Sequence, residues 1–164
     1  MELLKVQAIS GANVYSYRPV IRAVVDLQEW KDRTSDTLGD FNTRLLQCLP
    51  TLQEHYCSRG KPGGFVERLQ EGTLVGHIIE HVAIELLTLV GQNIPYGKTM
   101  CLPEYPGQYE IIFNYDSLEG GKEGIRQSFE LVQELLKGES PDITPRLERI
   151  KEVIQRYELG PSTK

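Results

Sequence analysis

The sequence contains few cysteines, and they form no paired motif. Cys48, Cys57 and Cys101 are the only three among 164 residues, and none forms a CxxC pair. An odd and dispersed set of thiols argues against a disulfide framework and against a zinc site made of thiolates alone. We therefore expect free thiols in a reducing compartment, which predicts a cytoplasmic protein.

Long apolar runs and an excess of positive charge are also missing. No stretch approaches the roughly 20 apolar residues of a membrane span, and the start, MELLKVQA, lacks the pattern of a signal peptide. Lysine and arginine number 18 against 23 acidic residues, for a net charge of −5. Neither a membrane nor a nucleic acid is therefore an expected partner. The phosphate-binding patterns GxxxxGK(S/T) and GxGxxG are absent, which predicts no nucleotide site.

Apolar patterning predicts four strands and several helices. Alternation around Val6, a β-branched run at residues 20–25, and apolar stretches at 100–102 and 109–115 indicate the strands. The expected helices are residues 36–56 with a break at Pro50, Thr73–Val90, a helix that ends near Gly138, and one that begins at Thr144. The order ββααββαα predicts an α+β fold, with four or five helices packed on a small, mainly antiparallel sheet.

The helix predicted at residues 73–90 is apolar except for one polar stripe. Thr73 is a suitable N-cap and Gly91 a suitable C-terminal glycine, so both helix ends are marked. At 100° per residue the polar side chains all project within one sector. The stripe consists of His77, Glu80, His81, Glu85 and Thr88.

The stripe contains an H-x-x-E-H pattern that runs from His77 to His81. Residues four apart lie one above the other on a helix, so both imidazoles can bind one Zn²⁺ while Glu80 lies beside them. Hydrolysis also needs a base for the attacking water, and the glutamate of the inverted zincin motif has that role. We predict His77 and His81 as metal ligands and Glu80 as the catalytic base.

The third metal ligand has three candidates. Glu85 lies one turn beyond His81 on the correct side, and we predict it as the third ligand. It is eight residues from His77, about 12 Å along the helix axis, so its alternative role is to fix the tautomer of His81. His55 and Cys57, which precede the helix, are the other candidates.

The same stripe has an interpretation without catalysis. Two helix histidines are compatible with hydrogen-bonded core residues, and the carboxylates with an ion-pair network to Arg18, Arg22 or Arg68. A structural metal site would use the same side chains. The metal interpretation is favoured because two of the three histidines fall in the motif, on a helix where unpaired charge is costly.

Longer motifs resemble the family of cyanophycin synthetase N-terminal domains. They are EHYCS at residues 54–58, GGF at 63–65, and the run from Glu71 to Gly91 that contains the H-x-x-E-H pattern. The likeness covers the whole chain. It implies one α+β domain over residues 1–159 and a linker at 160–164, toward an ATP-grasp module that this chain lacks.

The resemblance implies an origin in an enzyme that builds cyanophycin, multi-L-arginyl-poly-L-aspartate, which has an aspartate backbone and an arginine on each side chain. ATP-dependent ligation belongs to the ATP-grasp and Mur-ligase-like modules of such an enzyme. The N-terminal domain is expected to hold the polymer and, as a zinc metallopeptidase-like hydrolase, to cut it into short primers. The alternative is a non-catalytic domain that only binds the polymer.

Polymer binding needs acidic side chains for the guanidinium groups and basic side chains for the carboxylates. The candidates are Glu67, Glu71, Glu104, Arg18, Arg22, Arg59 and Lys61. One departure from the family is the segment 97–100, which reads Gly-Lys-Thr-Met where we expect Gly-Arg-Thr-Arg. The lost arginines argue against an anion contact in that segment.

Overall fold

Four strands form one antiparallel sheet in the computed structural model, which describes residues 1–158. They are β1 (Glu2–Ile9), β2 (Val20–Asp26), β3 (Gly97–Cys101) and β4 (Gln108–Asn114). Their order is β1-β2-β4-β3, with every neighbouring pair antiparallel. The two central strands are the most deeply buried, as expected from their nearly continuous β-branched and aromatic residues.

Five α-helices lie within these residues and complete the fold. They are α1 (Phe41–Cys48), α2 (Gly64–Glu71), α3 (Val75–Leu89), α4 (Leu118–Leu136) and α5 (Thr144–Glu158). Helix α3 packs on α4 and on strands β3 and β4, whereas α4 contacts β1 and β2. The predicted α+β class with a small antiparallel sheet is confirmed.

The break that the sequence predicts at Pro50 is present, and one further helix is not among the predicted ones. The first helix ends at Cys48, and Pro50–Glu54 form a 3₁₀-helix, because proline has no N–H to continue the α-helical hydrogen bonds. Helix α2 is an addition to the predicted elements. Gly63 precedes it with φ +80°, and Gly64 is its first residue. The sequence Gly63-Gly64, which is typical of a loop, therefore marks the start of a helix here.

Helix α3 is the central buried element and carries the H-x-x-E-H pattern. Its apolar side chains, Ile78, Ile79, Val82 and Leu86 among them, are fully buried, each worth about 1.5–3 kcal/mol in transfer free energy. The N-cap is Leu74 and not the predicted Thr73, whose hydroxyl contacts a histidine instead. The predicted C-terminal glycine, Gly91, has φ +88°.

Several expectations concern the ends and the surface of the protein. The predicted boundary at residue 159 and the linker at 160–164 lie outside the described residues. Within residues 1–158 no helix has the length and apolar character needed to cross a membrane. All three cysteines, which lie in that part of the sequence, are free thiols.

Candidate metal centre and its cavity

A cavity of about 650 Å³ opens beside the polar stripe of α3. Three segments surround it: the middle of α3, the segment 54–58 that precedes α2, and the segment 94–99 that leads into β3. Each of the three contributes polar side chains to the cavity. The tertiary fold therefore gathers groups that are up to 45 positions apart in the sequence.

Cys57, His77 and His81 form a group that could hold a metal ion. Each offers one ligand atom, and these atoms all lie within 4.8 Å of one another. The Sγ atom of Cys57 is 3.3 Å from Nε2 of His77. Thiolate sulfur and imidazole nitrogen are donors that Zn²⁺ binds well, so the donor set fits the predicted metal.

Cys57 reaches the helix because its segment is held tightly against α2. A Cβ atom on Gly64 would lie only 1.9 Å from the carbonyl oxygen of Tyr56, so this close approach requires glycine. The N–H of Phe65 donates a 3.2 Å hydrogen bond to the carbonyl of His55. Cys57 itself has φ +54°, a left-handed conformation that is uncommon outside glycine and concentrates at functional sites.

Replacing Gly64 by alanine should weaken zinc binding and lower the free energy of unfolding by about 1–3 kcal/mol, the usual cost of overpacking. The added methyl must push the backbone of residues 56–57 away from α2. Zinc titration and urea denaturation measure the two effects. The control is Gly60→Ala in the same segment, where φ is +67° and the added methyl meets nothing within 4 Å. Equal zinc affinities in the two variants would contradict this role of Gly64.

His77 is oriented by a hydroxyl group. Oγ1 of Thr73 lies 2.8 Å from Nδ1 of His77, which leaves Nε2 directed at Cys57. Burial, aided by the positive charge of Arg68, lowers the pKa of His77 to about 4. The ring is therefore neutral at pH 7 and keeps a lone pair, as metal ligation requires.

His81 is oriented by a series of hydrogen bonds that ends at Glu85. Nδ1 of His81 lies 2.9 Å from Nδ1 of His55, and Nε2 of His55 lies 2.8 Å from Oε2 of Glu85. An ionised carboxylate only accepts hydrogen bonds, so we assign the Nε2 proton to His55 and the Nδ1 proton to His81. This assignment leaves Nε2 of His81 as the nitrogen with a lone pair.

Glu85 is not in the group of candidate ligands and contacts them only through His55. Its carboxylate accepts hydrogen bonds from His55 and Thr51 and is not a member of the cysteine and histidine group. Burial raises the pKa of Glu85, but the hydrogen bonds from His55 and Thr51 outweigh that effect and hold the pKa below its ordinary value. Glu85, ionised at neutral pH, can keep His55, and through it His81, in one tautomer.

Glu80 lies in the same cavity and is nearly fully buried, with 5% of its surface exposed. Its Oε2 accepts a 2.6 Å hydrogen bond from Oγ1 of Thr99. A Cβ atom on Gly97 would lie 2.6 Å from Oε1, so glycine lets β3 pass close to the carboxyl group. Burial raises the pKa of Glu80 to about 7, although the Thr99 hydrogen bond opposes this. Such a carboxyl group can exchange a proton at neutral pH.

The seven residues predicted for polymer binding lie outside this cavity, and six of them form ion pairs. The pairs are Arg59–Glu71, Lys61–Glu67, Arg18–Asp116 and Arg22–Glu110. The seventh residue, Glu104, is exposed. Exposed pairs such as the first three are worth about 1 kcal/mol or less, so these side chains can exchange partners with a charged polymer at little cost.

Several residues that surround the metal group have no role at the site predicted from the sequence motifs. They are Glu54, Arg68, Thr73, Tyr96, Lys98 and Thr99. Glu54, Thr73, Lys98 and Thr99 fall in segments that carry the family resemblance, but only the tertiary fold brings these segments together. Thr73 is predicted only as a helix cap. In the structure it instead contacts Nδ1 of His77.

Comparisons with known proteins give the chain its family. A family model for the cyanophycin synthase-like N-terminal domain matches residues 22–137. The cyanophycin synthetase of Geminocystis herdmanii is 35% identical over 168 residues, which cover 99% of this chain and 19% of that protein. Those of Trichormus variabilis and Synechocystis sp. are also 35% identical, over 18% and 19% of their lengths. The chain spans less than a fifth of these relatives, and it belongs to the family of cyanophycin synthase-like N-terminal domains.

Proposed function

We propose that this protein binds cyanophycin and that its metal centre is a zinc-dependent hydrolytic site that cuts the polymer into short primers. One observation carries the proposal. A buried carboxyl group, Glu80, shares a cavity with Cys57, His77 and His81, where it could take a proton from an attacking water. A purely structural zinc site would not need this carboxyl group.

The reaction would be hydrolysis of a backbone peptide bond of the polymer. Zinc, when bound, would supply Lewis acidity, which polarises the scissile carbonyl and lowers the pKa of the attacking water. Glu80 accepts a proton from that water as the oxygen adds to the carbonyl carbon. As the C–N bond breaks, Glu80 passes the proton to the leaving nitrogen. Thr99 holds Oε2 throughout, so the carboxyl group stays oriented.

The cavity also carries charges that suit this polymer. Glu54 and Lys98 line it on two different segments, one acidic and one basic. Each unit of cyanophycin has a guanidinium group and a carboxylate, which would match that pair of charges. Lys98 stands where the resemblance leads us to expect arginine, so a cation is kept at that position, and we propose an anion contact there despite the expected loss.

The test of the proposal is direct incubation of the protein with insoluble cyanophycin. Soluble (Asp-Arg)ₙ fragments, identified by mass spectrometry, should appear with added zinc and disappear with a chelator. Release that is unaffected by the chelator would contradict a metal-dependent reaction. No release under any metal condition would favour the alternative, a non-catalytic domain that anchors the polymer.

The longer relatives suggest what else the domain works with. We propose that it acts beside ATP-grasp and Mur-ligase-like modules, which would perform the ATP-dependent synthesis. A cytoplasmic location fits this proposal, because it would keep the Cys57 thiol reduced and available as a ligand. Primers cut by this domain would then serve as starting points for elongation.

Polymer binding itself should weaken as salt is added. Exposed guanidinium and carboxylate pairs are screened over about 8–10 Å at physiological ionic strength. A pull-down with insoluble cyanophycin across a salt series measures this, and a neutral insoluble polysaccharide is the control. Retention that does not change with salt, or no retention at low salt, would contradict an electrostatic contact.

A further inference from the structure

A second cavity adjoins the first one at His77. It has a volume of about 460 Å³ and shares Ser58, His77 and Thr99 with the first cavity. Arg68, on helix α2, lines it. Its positive charge is close enough to lower the pKa of His77. The second cavity therefore adjoins the candidate metal centre and is cationic.

Arg68 has no partner among residues 1–158. Its Nε atom is buried without a hydrogen bond, and no carboxylate there forms an ion pair with it. Two other arginines, Arg44 and Arg146, also have a buried Nε without a partner, but their terminal nitrogens hold carboxylates. A partly buried guanidinium group that lacks a carboxylate is costly to keep, which points to a ligand that supplies one.

The other lining groups indicate which kind of anion fits. Three residues with hydroxyl groups, Thr34, Ser58 and Thr73, line the cavity together with the apolar Leu74 and the ring of Tyr109. None of the lining residues is acidic. One positive charge among neutral hydroxyl donors suits a monoanion. The planar fork of a guanidinium group matches the two oxygens of a carboxylate.

We propose that this cavity is a subsite for a carboxylate of the polymer, which the guanidinium group of Arg68 binds in a bidentate manner. The identity of the polymer rests on the proposed function above. Because the cavity shares His77 with the metal group, a carboxylate held here fixes which peptide bond lies at Glu80. Cyanophycin offers two such groups, the carboxylate of each arginine and the terminal carboxylate of the aspartate backbone. Binding of the first favours attack within the polymer, and binding of the second favours attack near its end.

Three synthetic oligomers of the polymer test the subsite. One carries both kinds of carboxylate, one has the terminal carboxylate of its backbone amidated, and one has its arginine carboxylates amidated. Calorimetry gives their dissociation constants for the parent protein and for Arg68→Gln, Arg68→Lys and Arg156→Gln. Arg156 is an exposed arginine on α5 and serves as the matched control.

One of the two amidated oligomers should bind the parent protein roughly 10–100-fold more weakly, the usual effect of losing a charged hydrogen-bonded pair. The oligomer that loses affinity identifies the carboxylate. In Arg68→Gln the unmodified oligomer should bind equally weakly, with no further loss on amidation. Arg68→Lys keeps the positive charge but loses the planar guanidinium group. Its affinity for the unmodified oligomer should therefore lie between those of the parent protein and Arg68→Gln. Arg156→Gln should match the parent.

Three results would overturn the subsite. They are equal binding of all three oligomers to the parent protein, unchanged binding to Arg68→Gln, and an amidation effect that persists in Arg68→Gln. In each of these three results the oligomers still bind the protein. Polymer binding would then remain supported, and only the proposed role of Arg68 would be wrong. If the parent protein binds no oligomer and no insoluble polymer, the subsite and the proposed function fail together. The comparison on the parent protein needs no variant, so misfolding of a variant does not obscure it.

Discussion

With Glu80 replaced by glutamine, the protein should release cyanophycin fragments about 10²–10⁴-fold more slowly, the usual contribution of general base catalysis. Glutamine keeps the size of the side chain and can still accept the hydrogen bond from Thr99. It cannot take a proton from the attacking water. Zinc content and binding of the insoluble polymer should therefore be unchanged, because neither depends on that proton. Timed mass spectrometry of the soluble fraction measures the rate.

The pH dependence of stability provides a control that the variant is folded. Burial raises the pKa of Glu80 to about 7 in the folded protein, above its ordinary value of 4.5. Ionisation of Glu80 therefore costs more in the folded state than in the unfolded state. As the pH rises from about 4.5 to 7, this carboxyl group lowers the free energy of unfolding of the protein. Glutamine does not titrate. In urea denaturation of the metal-free proteins, Glu80→Gln should thus gain stability relative to the parent across that interval.

Equal rates of fragment release from Glu80→Gln and from the parent protein would show that Glu80 is not the base. In that case the raised pKa would reflect burial alone, and another group would have to remove the proton. If the parent itself releases nothing, there is no rate to compare. The domain is then a binder, and the metal group is structural.

Local periodicity is sufficient to predict helix α3, which carries most of the site. The polar stripe of α3 follows from helical geometry alone, since His77, Glu80 and His81 are spaced three and four residues apart along the sequence. The same geometry places Glu85 about 12 Å from His77 along the axis. The structure agrees with that distance argument, because Glu85 contacts His55 and is not in the group formed by Cys57, His77 and His81.

Groups that approach the stripe from other elements can be predicted only as alternatives or not at all. Cys57 is one of three candidate ligands in the sequence, and its place beside His77 depends on the tight contact of Gly64 with Tyr56. Thr99 comes from β3, and its hydrogen bond to Glu80 depends on the register of that strand. Long-range packing sets these contacts, and a single sequence carries no periodic signal for them.

Predictions of which charged side chains bind a ligand are the weakest, because long-range packing also decides which charges are paired. Arg59 and Lys61 are cations near a glycine-rich segment of the sequence, but each is paired with a glutamate on α2. Arg68 is predicted as an ion-pair partner or as one of several cations that could face a substrate, and in the structure it lines a cavity. Whether a charged side chain is neutralised or free depends on its neighbours in space, which the sequence order does not reveal.

Loss of the metal is the second large effect that we expect. His77→Ala and His81→Ala each remove one nitrogen donor from a group of three, so neither variant should keep zinc after dialysis, whereas the parent should keep about one ion per molecule. Elemental analysis measures this. Thr88→Ala changes an exposed residue of the same stripe and is the matched control, with zinc content equal to that of the parent.

Glu85→Gln distinguishes a ligand from a residue that acts through His55. Because Glu85 contacts His55 and not the candidate ligands, its amide variant should keep zinc and bind it roughly 10–100-fold more weakly, as the tautomer of His81 is held less firmly. Complete loss of zinc in Glu85→Gln would make Glu85 a direct ligand. An unchanged affinity would mean that this series of hydrogen bonds does not control the tautomer. Zinc retained in both histidine variants would instead leave the two imidazoles as hydrogen-bonded core residues, and the hydrolytic proposal would lose its metal.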